Sequence, residues 1–186
     1  MSKEMTSLLD PGMFRAALGA FTTGVTIVTT RAKDGRAVGV TANSFNSVSL
    51  DPPMVLWSLS KRAYSLTAFT EGEHWAVHVL AADQEALSRR FASPGEDKFA
   101  GIDYADSSEG VPLLPCCVAR FHCKTTFQYE GGDHVILVGE VTAFDHSDRA
   151  PLVFHAGRYV RVEQGASGGQ GHVSVLAQRN LLRSSC

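Results

Sequence analysis

Four short stretches of the chain set polar or charged side chains where they could hold an anion or a flat polar ring. Ser58-Leu-Ser60-Lys61-Arg62-Ala-Tyr64-Ser65 leaves an apolar run and enters a helical one. Hydroxyls, two cations and the free N–H groups of a helix start converging there make an anion site; a capped helix with solvated Lys61 and Arg62 is the plainer alternative. Thr41-Ala42-Asn43-Ser44-Phe45-Asn46-Ser47-Val-Ser49-Leu is small, polar and nearly free of charge. It offers backbone groups and hydroxyls to a polar ring without bulky obstruction, and equally reads as a loop that satisfies itself through Asn and Ser turns. Gly131-Gly132-Asp133-His134 permits a tight turn and close approach of a ligand to the backbone, although a hairpin turn with an exposed histidine is the commoner use. Ser93-Pro94-Gly95-Glu96-Asp97-Lys98-Phe99 brings a cation and an aromatic together, as a lid over a phosphate or ring would, or as a solvated loop anchored by Phe99.

Other chemistries lack their residues. There is no strand–GxGxxG–helix unit, no GxxxxGK[ST] loop and no GxSxG elbow. Cys116, Cys117 and Cys123 crowd together and Cys186 ends the sequence, which makes a poor disulfide framework and leaves no second thiolate pair for zinc, so they read as small core residues. His74 and His78 share one face of a strand with no carboxylate evident to complete a metal site, and structural roles are favoured. No metal is expected.

The elements that must position these stretches fit in one domain, for the chain has 186 residues. A hydrophobic share of 44% excludes disorder, and 17 basic against 19 acidic residues argue against a nucleic-acid binder. No apolar run reaches membrane-spanning length and the first residues lack a signal-peptide pattern, so a cytoplasmic protein is expected. Asp10-Pro11-Gly12 opens a helix whose apolar face is Phe14, Ala17, Leu18 and Phe21. Val25–Thr30 and Ala37–Thr41 form a hairpin about Asp34-Gly35, and Met54–Leu59 a third strand. Helices are predicted over about 62–71 and from an Asp83 cap to Phe91, with a strand at Trp75–Val79 between them. A long loop spans about 92–115. Phe121, Cys123, Thr125, Phe127 and Tyr129 fall on one face of a long strand, which turns at Gly131-Gly132-Asp133 into Val135–Phe144, apolar on both faces. A last hairpin surrounds Gly157. Residues 1–163 form the domain, and the Gly/Ser-rich 164–186 is a flexible extension or an arm onto a partner subunit. Strands without βαβ alternation indicate an antiparallel barrel.

Five segments, in order, resemble the flavin reductase-like family with the FMN-binding split-barrel fold: Phe14–Thr30, Thr41–Pro53, Arg90-Phe91-Ala92 with Asp97–Gly101, Gly132-Asp133-His134 with Gly139-Glu140-Val141, and Gly157-Arg158-Tyr159. The resemblance implies a mainly β fold, a six-stranded antiparallel Greek-key split barrel with short peripheral helices, and a homodimer with flavin at the subunit contact. It implies an enzyme passing hydride from NADH or NADPH to FMN or FAD and supplying reduced flavin to a partner monooxygenase. Carried onto matching positions, Thr41, Ala42, Asn43, Ser44 and Ser47 would hold the flavin ring and ribityl chain, largely by backbone. Ser58, Ser60, Lys61 and Ser65 would attend the phosphate. Phe91, Lys98 and Phe99 would lie further along the flavin or over the nucleotide. Gly132 and His134 match the turn and the histidine beside the nicotinamide, and Tyr159 a C-terminal aromatic near the site. Because the cofactor carries the chemistry, no nucleophile or metal is needed. The alternatives are an enzyme that retains its flavin and reduces a nitroaromatic or corrinoid, and a flavin- or haem-binding module without turnover.

Overall fold

Asp10 acts as a helix cap: its Oδ1 accepts from Met13 N at 2.7 Å, with Pro11 in the first turn of α1 (Pro11–Gly19). The structure, a computed structural model, describes residues 10–95, 97–164 and 173–177. The apolar face predicted for α1 is present but enters neither core; no residue of the helix is buried, and Phe14 and Leu18 stand exposed, as does Phe21 just beyond it. The helix meets the rest of the fold near its end, where Ala156 N donates to Gly19 O at 2.8 Å.

The β-branched runs become strands in chain order: β1 (Thr23–Gly24), β2 (Thr26–Arg31), β3 (Ala37–Ala42), β4 (Asn46–Leu50) and β5 (Pro53–Ser60). After α2 (Leu66–Glu71), β6 (His74–Val79) and α3 (Glu85–Ala92) come two short strands, β7 (Ala105–Asp106) and β8 (Pro112–Leu113). The long hairpin β9 (Ala119–Gly131) and β10 (His134–His146) follows, then β11 (Val153–His155), β12 (Arg158–Gln164) and β13 (Val173–Ala177). Every ladder is antiparallel, and a seven-stranded sheet runs β3-β2-β6-β9-β10-β5-β4. A smaller sheet, β1-β11-β12-β13, lies beside it.

The strand-rich architecture with short helices matches the expectation, with local differences. The seventh strand of the large sheet is β4, which pairs with β5 from within the polar stretch expected to be loop. Ser44 staples the opening between β3 and β5: its hydroxyl donates to Ser58 O at 3.1 Å and accepts from Ser58 N at 2.9 Å. Helix α2 starts at Leu66, later than predicted. Gln84, not Asp83, stands at the N-cap position of α3 and makes no side-chain cap bond there, its Oε1 accepting from Ala81 N at 2.9 Å, while Asp83 accepts from Arg149 at 2.5 Å. The 92–115 stretch is not free loop: Phe99, Val111 and Leu114 are buried. Thr126 is an extra residue in β9 at a bulge, so Phe127 and Tyr129 turn outward while Gln128 reaches inward to Thr70 O at 2.9 Å. The single face predicted for this strand therefore holds only through Thr125.

Two apolar cores result. The barrel is filled by Trp57, Phe69, Trp75, Val28, Val77 and Leu137, with the Trp57 and Phe69 rings edge to face at 4.9 Å. The second core, Val25, Ile27, Leu80, Phe91, Phe99, Leu114 and Leu152, glues the small sheet, α3 and the 93–118 segment to the barrel wall. Cys123 belongs to the first core and Cys117 packs against the second, as expected of small core residues, and burial pushes both thiols up to about 12, but Cys116, expected to share that role, is exposed. Of the tail, β13 extends the small sheet along β12; residues 165–172 and 178–186, with Leu181 and Leu182, lie outside the described residues.

Candidate active site

Where β3 and β5 part, the sheet leaves a cleft of about 510 Å³. Its walls are Val40 to Ser44 on one side and Trp57 to Ser60 on the other, and Gly131, His134 and Ile136 close one end. Trp57 forms the floor; its indole Nε1 is buried without a partner among the described residues. The side chains of Asn43 and Ser58 also have no protein hydrogen-bond partner among the described residues. By contrast the Thr41 hydroxyl is committed to Ser88 O at 2.6 Å, and that of Ser44 to the staple. Thr41, Ala42 and Ser44 thus offer the cleft mainly backbone, whereas Asn43 and Ser58 offer side-chain groups as well.

His134 is placed by two ladders, for its backbone registers with Ser60 on β5 and Gly131 on β9. Gly132, at φ +72, makes the turn a side chain would resist. The two turns at this end are clasped together: Lys61 N donates to Asp133 O at 2.9 Å and the Lys61 ammonium pairs with Glu130. His134 Nδ1 lies 2.6 Å from Asp133 Oδ1, and the hydrogen bond and charge of the imidazole hold the Asp133 carboxyl below the usual range. With Nδ1–H engaged by the carboxylate, Nε2 is the ring nitrogen left for a ligand.

A second cavity of about 970 Å³ adjoins the first, sharing Val40 and Ala63. Ser65, Phe91, Lys98 and Phe99 line it, with Tyr64 and the basic rim of Arg31, Lys33 and Arg36. Phe91 can lie against β3 because residue 39 is glycine: a Cβ there would come within 2.5 Å of the Phe91 ring. Lys98 Nζ donates to Phe91 O at 2.8 Å, and partial burial lowers the pKa of its ammonium.

The fold thus brings Thr41, Ala42, Asn43, Ser44, Ser58, Ser60 and His134 to the first cavity and Ser65, Phe91, Lys98 and Phe99 to the second. Ser47 is exposed on β4, Lys61 sits in the clasp, Gly132 shapes the turn, and Tyr159 packs behind α3; these four line neither cavity. Sequence reasoning missed Trp57 and Ile136, whose apolar type on a strand signals only core, and the basic rim, whose cations are spread along a hairpin. Among the described residues no cluster of His, Cys, Asp or Glu could hold a metal ion, and no helix is long and apolar enough to cross a membrane.

The donor set fits a flavin: a slot between two strands, unclaimed polar groups on its walls, an unpartnered indole beneath and a histidine at its lip. Comparison with known proteins agrees. The chain is 50% identical over 148 residues to FMN reductase (NADH) SmoA of Agrobacterium fabrum, covering 80% of this chain and 84% of that protein. It is 40% identical over 156 residues to the flavin-dependent monooxygenase reductase subunit HsaB of Rhodococcus jostii, covering 83% and 80% of the two chains. The NADH:FAD oxidoreductase SgcE6 of Streptomyces globisporus superposes with a TM-score of 0.78 at 39% identity, over 88% of this chain and 95% of that one. Residues 18–163 match the model of the flavin reductase like domain, and the chain belongs to that family.

Proposed function

We propose that this protein is an NADH- or NADPH-dependent flavin reductase of the cytoplasm, acting as a homodimer and supplying reduced FMN or FAD to a partner monooxygenase. The observation that carries this reading is the slot between β3 and β5 with His134 at its lip and polar groups without partners on its walls. The names of its relatives support it: one is an FMN reductase using NADH, another the reductase subunit of a flavin-dependent monooxygenase. The exposed apolar side chains of Phe127, Tyr129, Val48 and Leu50 support a subunit contact.

Bound flavin supplies the hydride acceptor. The backbone of Thr41, Ala42 and Ser44, with the Asn43 and Ser58 side chains, would hold its polar edge and ribityl chain. Ser58, Ser60 and Ser65 would take the phosphate. Phe91, Lys98 and Phe99 would hold what continues into the second cavity. His134, oriented by Asp133, would offer Nε2 to the nicotinamide nucleotide and so help to position it for transfer.

The test is steady-state kinetics of the purified protein with NADH and NADPH crossed against riboflavin, FMN and FAD. Oxidation of at least one nucleotide dependent on added flavin is expected; none in any combination overturns the reading. His134→Ala should raise the KM for pyridine nucleotide by about tenfold while moving the flavin KM far less, as for loss of a hydrogen bond worth about 1.4 kcal/mol. Equal changes in both would remove its assigned role.

A further inference from the structure

Tyr159 stands in the sequence segment that resembles the family, yet it does not reach either cavity. Its hydroxyl lies 2.8 Å from the hydroxyl of Ser88, a fully buried residue of α3. The carbonyl of that same Ser88 accepts the Thr41 hydroxyl at 2.6 Å, on the wall of the first cavity. One residue along α3, the Arg89 guanidinium lies over the Tyr159 ring at 4.8 Å, and Phe154 meets the ring edge to face at 5.2 Å. A hydroxyl as buried as that of Ser88 needs its partner, and Tyr159 is the partner the structure gives it.

We propose that Tyr159 is a positioning residue for the flavin slot, acting through Ser88 to fix Thr41 rather than by touching a ligand. The small sheet thereby sets the geometry of a cleft in the large one, with α3 as the rigid link. This rests on the reading of the slot as a flavin site.

Tyr159→Phe removes only the hydroxyl, and Thr41→Val removes the other end of the link. Riboflavin and FMN binding is followed by fluorescence quenching, without nucleotide. Each variant should weaken flavin roughly three- to tenfold, the worth of one hydrogen bond. The double variant should be no weaker than Thr41→Val alone, since both break one link. The KM for NADH should stay at the wild-type value in Tyr159→Phe. Unchanged flavin affinity in Tyr159→Phe, or losses that add in the double variant, overturns the proposal. Amide hydrogen exchange provides a readout that needs no flavin. In Tyr159→Phe the segment 39–44 should exchange faster while β10 does not, and an unchanged 39–44 overturns the proposal. A wild-type protein that binds no flavin sinks the functional reading instead, and the exchange result then decides the link on its own.

Discussion

The barrel and the segment that covers it, residues 93–118, are held by different means. The barrel strands are joined by continuous backbone ladders, and the first cavity opens where the curled sheet leaves β3 and β5 unladdered. The covering segment has one short ladder of its own, β7–β8, and is pinned to the barrel by side chains bonding to its backbone. Thr29 Oγ1 donates to Pro112 O at 2.6 Å, Gln84 Nε2 to Pro115 O at 2.9 Å, and Leu114 N donates to His78 Nε2 at 3.1 Å. The residues walling the slot are therefore fixed by many cooperative bonds, while residues 112–115 of the covering segment hang on a few separable clips. A slot whose geometry must favour hydride transfer belongs on the first kind of frame, and a segment held by the second kind opens more easily.

That contrast can be broken at its strongest point first. Trp57→Ala removes the floor of the slot and the centre of the barrel core, and should cost about 3–5 kcal/mol in urea unfolding. A loss confined to the second cavity would show that the frame is not continuous. Acid acts on the clips. His78 is fully buried, donates from Nδ1 to Ile27 O at 3.1 Å and accepts at Nε2, so protonation would break the Leu114 bond. Burial lowers its pKa from 6.5 to about 3. The native state thus resists a proton that the unfolded chain takes up. The stability this confers is complete above about pH 6.5 and falls by about 1.4 kcal/mol per pH unit as the pH drops toward 3. His78→Gln should flatten that part of the stability–pH curve; an equal slope in both proteins would remove the clip's titration as the cause. Thr29→Val leaves the Pro112 carbonyl without its donor and should cost about 1–2 kcal/mol, with protease sensitivity rising first within 93–118. Smallest is Lys33→Met, which breaks an exposed pair with Glu71 at 2.9 Å and should change the unfolding free energy by less than about 1 kcal/mol.

Legibility in the sequence followed the same division. The hairpin about Asp34-Gly35, the β5 strand and the glycine turn before His134 were readable because neighbours in sequence decide them. The Asp10 cap was readable for that reason too, whereas Asp83 was not, since the Arg149 that takes it lies far along the chain. The buried character of 93–118 was invisible: its anchors Thr29, His78 and Gln84 belong to other elements, and its own residues carry the Gly, Pro and Ser of ordinary loop. In the site, the polar contributors were found by type, but Trp57 was hidden among core residues, and Tyr159 could be placed behind α3 only by folding the small sheet against the large one.

The bulge at Thr126 has a counterpart, Thr142 on the facing strand. Because the extra residues lie on opposite strands, the pairing frame before the first is regained after the second, like a dislocation annihilated by its opposite. The fault is confined to the stretch between them, where Gly139 lets the strand pass the Trp75 ring: a Cβ there would lie 2.5 Å from Trp75 Cζ2. β10 keeps an unbroken frame against β5, and β9 against β6. Insertions and deletions in this hairpin are therefore tolerable in matched pairs. The loss of Thr126 alone would leave an odd residue to be absorbed, and the misfit would land in the tight turn that carries His134.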